Sequence, residues 1–94
     1  MVINMKIQGK YVLSGQIDMV REEDILIVDL GDSVVVFEKF ELNLLDKLSS
    51  ERNIEEISVE LLEQYHESYD EHDFYNFIAE LLKLGIIVEK NEDL

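Results

Sequence analysis

The chain has 94 residues, 47% of them hydrophobic, which is enough for one domain with a modest core. It carries 22 acidic and 8 basic side chains, and the resulting net charge of −14 opposes binding to nucleic acid or anionic lipid. No cysteine is present, which excludes disulfides, thiolate metal sites and cysteine nucleophiles. No apolar run approaches the ~20 residues that span a bilayer. We therefore expect one soluble cytoplasmic domain.

The first half of the chain has the pattern of β-strands. The runs Ile25–Leu30 and Ser33–Phe37 are rich in β-branched residues, and the pair Gly31-Asp32 between them suits a tight hairpin. Upstream, Lys10–Leu13 and Ile17–Arg21 are also predicted as strands, although the sequence does not reveal their partners. This half therefore predicts β-structure built around one hairpin.

The second half changes to a helical period and predicts three helices. The second helix is capped by Asn53, with Glu56 reaching back as in a capping box. The third begins at Asp70–Asp73 and ends at Gly85. Strands followed by helices indicate an α+β fold. The predicted buried stripes are Phe40, Leu44, Leu45 and Leu48 in the first helix and Ile54, Ile57, Leu61 and Tyr65 in the second.

The third helix is apolar over more than one stripe. Its apolar side chains between Phe74 and Leu84 cover roughly 220° of the helix circumference. Two explanations remain open. Either the other helices and the sheet cover both sides, or part of the arc, at Tyr75, Ile78 and Leu82, is left for a partner.

Other kinds of site have weaker support. His66 and His72 are near acidic residues, but their spacing does not place both on one helical face, so ordinary surface histidines are the simpler interpretation. The sequence has no nucleophile elbow, phosphate-binding glycine loop or zinc-binding histidine pair. Lys83 is the one cation on the third helix, which argues against a DNA-reading helix. We expect no catalytic residue, no metal site and no cofactor.

Four consecutive segments resemble the PqqD-like domains, the peptide-recognition elements (RREs) of RiPP pathways, which modify ribosomally made peptides. The segments are ILIVDLGDSVVVF, LNLLDKLSSERN, NIEEISVELLEQY and DFYNFIAELLKLGIIVE, all within residues 17–89. The most similar parts are ERNIEEI and the ending, which follows the family pattern DV..FL..L...GL at Asp73-Phe74, Phe77-Ile78, Leu81 and Gly85-Ile86.

The resemblance implies a winged-helix-like α+β fold, in which an N-terminal three-stranded antiparallel sheet is followed by three helices. Within a single domain of residues 1–94, residues 17–89 would form the core, 1–16 an extra N-terminal segment and 90–94 a frayed tail. The chain departs from the family pattern where the last strand meets the first helix, at Phe37-Glu38 and Lys39-Phe40.

The resemblance also implies a binding protein without enzymatic activity. Such domains take up the leader segment of a precursor peptide as an extra strand beside their third strand, which is β-augmentation. They then present the peptide to a modifying enzyme such as a radical SAM enzyme, a cyclase or a leader protease. In this chain the third strand is Ser33–Glu38, and Tyr75, Ile78 and Leu82 of the last helix would line the groove beside it.

The phase of the third strand stays open in the sequence. Because a strand has a period of two, either Val34 and Val36 or Val35 and Phe37 face the groove. An ordinary hairpin arm packed on a core has the same alternation. An alternative function is an acidic adaptor or antitoxin-like protein that holds a folded basic partner, and a homodimer joined at the strand edge is a further option.

Overall fold

A computed structural model describes residues 7–90 of the protein. The predicted α+β class is confirmed, with a three-stranded antiparallel sheet followed by three helices, whereas the winged-helix-like arrangement stays a prediction. In chain order the elements are β1 (Lys10–Leu13), β2 (Asp18–Glu22), β3 (Ile25–Asp29), β4 (Val34–Glu38), α1 (Lys39–Lys47), β5 (Arg52–Asn53), α2 (Ile54–Tyr65), a 3₁₀ turn (His66–Ser68), α3 (Glu71–Lys83) and β6 (Ile87–Glu89).

β2, β3 and β4 form an antiparallel meander in that order. The predicted hairpin joins β3 to β4, and Gly31 takes the positive φ of 98° that the two-residue turn requires. The Leu30 amide donates to the Ser33 carbonyl at 2.9 Å across the turn. The Asp29 carboxylate accepts a hydrogen bond from the Gly31 amide at 2.9 Å, which stabilises the same turn.

A second sheet has the order β5-β1-β6 and joins distant parts of the chain. The predicted strand Lys10–Leu13 is β1, and it pairs antiparallel with Ile87–Glu89 and with Arg52–Asn53. Tyr11 of β1 is buried in the core, so the expected extra segment 1–16 contributes to the packing. Residues 1–6 of that segment and 91–94 of the expected tail lie outside the described residues.

Local signals define the helix ends as predicted. The Asn53 side-chain oxygen accepts hydrogen bonds from the backbone amides of Glu55 and Glu56 at 2.8 and 3.3 Å, and these bonds cap α2. The Asp70 carboxylate accepts a hydrogen bond from the Asp73 amide at 3.1 Å and so caps α3. After α3 the chain turns at Gly85, whose φ is 77°. The return bond of a capping box, from the Asn53 amide to Glu56, does not form.

One apolar core lies between the helices and the two sheets. Ile54, Ile57 and Leu61 of α2 are fully buried, as predicted, and Tyr65 is half-buried. The predicted α1 stripe is buried at three positions and half-buried at Phe40, whose ring meets that of Tyr65 with centroids 5.1 Å apart. Outside α2, the fully buried side chains are Val28, Leu44, Leu45, Leu48, Phe74, Ile78, Leu81, Ile86 and Ile87.

Glu60 of α2 connects three elements at the surface. Its carboxylate accepts a hydrogen bond from Lys47, at the end of α1, at 3.2 Å. It also pairs with the Arg52 guanidinium of β5. Two of the few cations of this acidic chain therefore hold the second helix to its neighbours.

Candidate functional site

β4 is an edge strand, and the hairpin determines how its backbone is oriented. In the sheet order β2-β3-β4, no strand within residues 7–90 pairs with the far side of β4. The bond from the Leu30 amide to the Ser33 carbonyl makes these two residues a hydrogen-bonded pair. Hydrogen-bonded and non-hydrogen-bonded pairs alternate along an antiparallel ladder. The backbone groups of Val35 and Phe37 therefore face β3.

The other residues of β4 direct their backbone outward. By the same alternation, the amides and carbonyls of Val34, Val36 and Glu38 point away from β3. The edge therefore offers three donors and two acceptors, because the Glu38 carbonyl, at the N-cap of α1, accepts the first hydrogen bond of the helix. An extended peptide has the complementary spacing and can add to this edge as a fourth strand.

The side chains of β4 resolve the phase that the sequence left open. Phe37 is 5% exposed and Val35 is half-buried, so this pair faces the protein. Val34 and Val36 are 61% and 52% exposed on the outer face of the sheet. The alternate side chains of an added strand fall on opposite faces of the sheet. Such a strand would therefore contact Val35 and Phe37 on one face and Val34 and Val36 on the other.

One aromatic contact connects β4 to the last helix. The rings of Phe37 and Phe77 meet edge to face, with centroids 5.7 Å apart and an interplanar angle of 73°. Phe77 is half-buried, so part of its ring is accessible beside the strand. The sequence had assigned the groove to other residues of α3, and Phe77 was missed because it lies in the same broad apolar arc.

Two of the three predicted groove residues are core residues. Tyr75 is 8% exposed and Ile78 is fully buried, so their expected exposure to a partner is wrong. Tyr75 packs edge to face on Phe74 at 4.9 Å. The core is larger than predicted because the second sheet adds buried side chains to it, and for these two residues the covered-helix explanation holds. Leu82 is half-buried and packs against the edge of the core.

The outer face of the three-stranded sheet carries an apolar row that sequence reasoning missed. Val20, Ile27 and Val36 are cross-strand neighbours. Val20 and Val36 are each more than half exposed. Part of the signal was present in the sequence, because the two-residue turn at Gly31-Asp32 fixes the register of β3 and β4 and makes Ile27 and Val36 neighbours.

The junction between β4 and α1 has no connecting residue. Lys39 begins α1 with a φ of 56°, in a region that residues with a Cβ rarely adopt. The departure from the family pattern noted above falls at this position. Glu38 is the N-cap residue, yet its side chain accepts no capping hydrogen bond. Both residues line a shallow depression, in which Arg21 forms an ion pair with Asp46 at 2.6 Å.

The structure adds no support for a metal site. His66 lies at the end of α2 and His72 in the first turn of α3, and both are exposed. Within residues 7–90 no three potential ligands come close enough to hold an ion. In the same range no helix has the length and apolar character needed to cross a bilayer.

No family model matches the chain, and no curated protein or solved structure is significantly similar to it. The resemblance to the PqqD-like domains therefore remains a prediction from residue spacing.

Proposed function

We propose that the protein is a non-catalytic, cytoplasmic peptide-binding module of a RiPP pathway. It takes up the leader segment of a ribosomally made precursor peptide as a fourth strand along β4. It then presents the precursor to a modifying enzyme, such as a radical SAM enzyme, a cyclase or a leader protease. No cofactor takes part, and the net charge of −14 opposes a nucleic-acid partner.

The observation that carries this proposal is the free edge of β4. The amides of Val34, Val36 and Glu38 and the carbonyls of the two valines point outward, and the strand carries exposed apolar side chains, a combination that attracts another strand. Beside it, Phe77 supplies a partly exposed aromatic surface for the inward-facing side chains of an added strand. Main-chain bonds would supply affinity and these apolar contacts would supply selectivity.

The test begins with short open reading frames beside the gene. A synthetic peptide covering the first ~20 residues of such a frame is titrated into isotopically labelled full-length protein. We expect the largest amide shifts at Val34, Val36 and Glu38, with smaller shifts around Phe77. Shifts confined to the acidic loops, or none, would contradict strand addition.

The variant Val36→Pro tests the backbone contribution directly. Proline removes one outward donor of β4 and leaves the bonds to β3 intact, so the fold should lose little stability. A lost hydrogen bond of about 0.5–1.5 kcal/mol, together with the bulk of the ring, should weaken peptide binding about tenfold. Val36→Ala is the matched control, because it trims the same side chain and keeps the amide. Equal affinities for the two variants in a calorimetric titration would contradict the proposal.

A second candidate function is favoured by the outer face of the sheet. There the apolar row of Val20, Ile27 and Val36 lies between residues with acidic side chains, which suits a folded basic partner of an adaptor or antitoxin-like protein. The discriminating variant is Val20→Asp, on the strand far from β4. It should abolish binding to a folded partner on this face and leave a peptide added beside β4 almost unaffected.

A further inference from the structure

The outer face of the three-stranded sheet is organised in rows that an added strand would extend. Alternate residues of a strand are about 6.7 Å apart, so successive rows are separated by that distance. The middle row is apolar, and the two outer rows contain carboxylates. From one end to the other the rows are Glu22, Ile25 and Glu38; Val20, Ile27 and Val36; and Asp18, Asp29 and Val34.

A fourth strand beside β4 places one new side chain in each row. Antiparallel addition is the more stable mode per residue, and it pairs each outward residue of β4 with one peptide residue. The peptide side chains opposite Val34 and Val36 then meet exposed apolar neighbours, whereas the one opposite Glu38 meets a carboxylate. Directly opposed side chains are about 5 Å apart, close enough for opposite charges to attract.

The Glu38 carboxylate is available for such a contact. Its side chain is exposed, caps no amide of α1, and forms no ion pair within the described residues. Arg21 of β2, which lines the same depression, is already paired with Asp46. A second copy of this chain would bring further negative charge to the edge, so the net charge of −14 favours a basic occupant.

We infer that Glu38 is a specificity-determining residue that selects a cationic side chain in the bound peptide. In the N-to-C direction the peptide carries Lys or Arg, followed two and four residues later by apolar side chains opposite Val36 and Val34. The residues between them face Phe77 and the groove. This inference rests on the proposed strand addition along β4 and specifies the sequence that the edge accepts.

The test is a selection of peptides from a random dodecapeptide display library on the immobilised full-length protein. The wild type should enrich Lys or Arg at a fixed position, with apolar residues two and four places after it. Glu38→Gln should weaken binding of a selected Lys peptide about two- to fivefold, and should not change binding of the same peptide with Gln in that place. Glu38→Lys should instead enrich Asp or Glu there.

Glu22→Gln is the matched control, because it removes a carboxylate from the same row on the far edge of the sheet. An equal loss of affinity for this variant would mean that the overall charge acts, and would overturn the role of Glu38. Selected peptides that depend on the Val36 amide but show no fixed cation would overturn that role and leave strand addition standing. Absence of enrichment, or binding that Val36→Pro does not weaken, would overturn both.

Discussion

Apolar side chains of α3 differ in how deeply they are buried, although all of them are strongly hydrophobic. Phe74, Ile78 and Leu81 are almost fully enclosed, whereas Phe77 and Leu82 remain half-buried. A helical wheel shows all of them as one broad apolar arc, because it contains no information on what packs against each part. The part of α3 that remains near the surface beside β4 is therefore visible only in three dimensions.

This difference predicts the effect of truncating two residues one helical turn apart. Ile78→Ala leaves a cavity in the core and should lower the free energy of unfolding by about 2–5 kcal/mol. Leu82→Ala removes a half-buried side chain and should cost roughly half as much. Urea unfolding followed by circular dichroism measures both. Equal losses would contradict the burial pattern, and the expected loss also makes Ile78→Ala unsuitable as a test of peptide binding.

Gly85 predicts a second effect at residue scale. Its φ of 77° strains any residue with a Cβ, although an added Cβ would meet nothing closer than the Ile17 Cδ1 at 3.9 Å. Gly85→Ala should therefore destabilise the fold through its backbone alone, by about 1–2 kcal/mol. Gly15→Ala is the matched control, since Gly15 has no positive φ and open space around it, and it should stabilise by about 0.4–1 kcal/mol. Thermal melts that rank the two variants in the opposite order would contradict this account.

Single elements could be predicted from the sequence because their signals are local. The turn at Gly31, the cap at Asn53 and the end of α3 at Gly85 each depend on one or two residues, and all three are present. The pairing of β1 with β6 could not be predicted, because Tyr11 and Glu89 are neighbours only in space. For the candidate site, the strand was predicted, whereas its buried face became known only from the packing of Val35 and Phe37 against the rest of the chain, since valine occupies three successive positions.

At the scale of the whole molecule, the ion pairs of Glu60 make the stability of the fold depend on pH in the acid range. Burial raises the pKa of the Glu60 carboxyl, but hydrogen bonds from Lys47 and Arg52 outweigh it and hold the pKa below its ordinary value of 4.5. Because the folded-state pKa is the lower one, the stabilisation is present above 4.5 and is lost as the pH falls through the folded-state value.

We therefore expect a pH-dependent difference between the wild type and Glu60→Gln. The gap between their melting temperatures should be largest near neutral pH and should shrink as the pH falls below 4.5. Glu63→Gln removes an exposed carboxylate from the same helix and corrects for the general reduction in charge repulsion. A gap that stays constant over this range, after that correction, would contradict the role of the Glu60 contacts.

The pairing of β1 with β6 brings the two ends of the described chain together, and the Lys90 amide donates to the Lys10 carbonyl at 2.8 Å. The first and last described strands are therefore adjacent, and residues 10 and 90 lie side by side. Such a unit can be inserted into a surface loop of a host protein without long spacers. The edge strand β4 belongs to the other sheet, so its free edge takes no part in the strand pairing that joins the two ends.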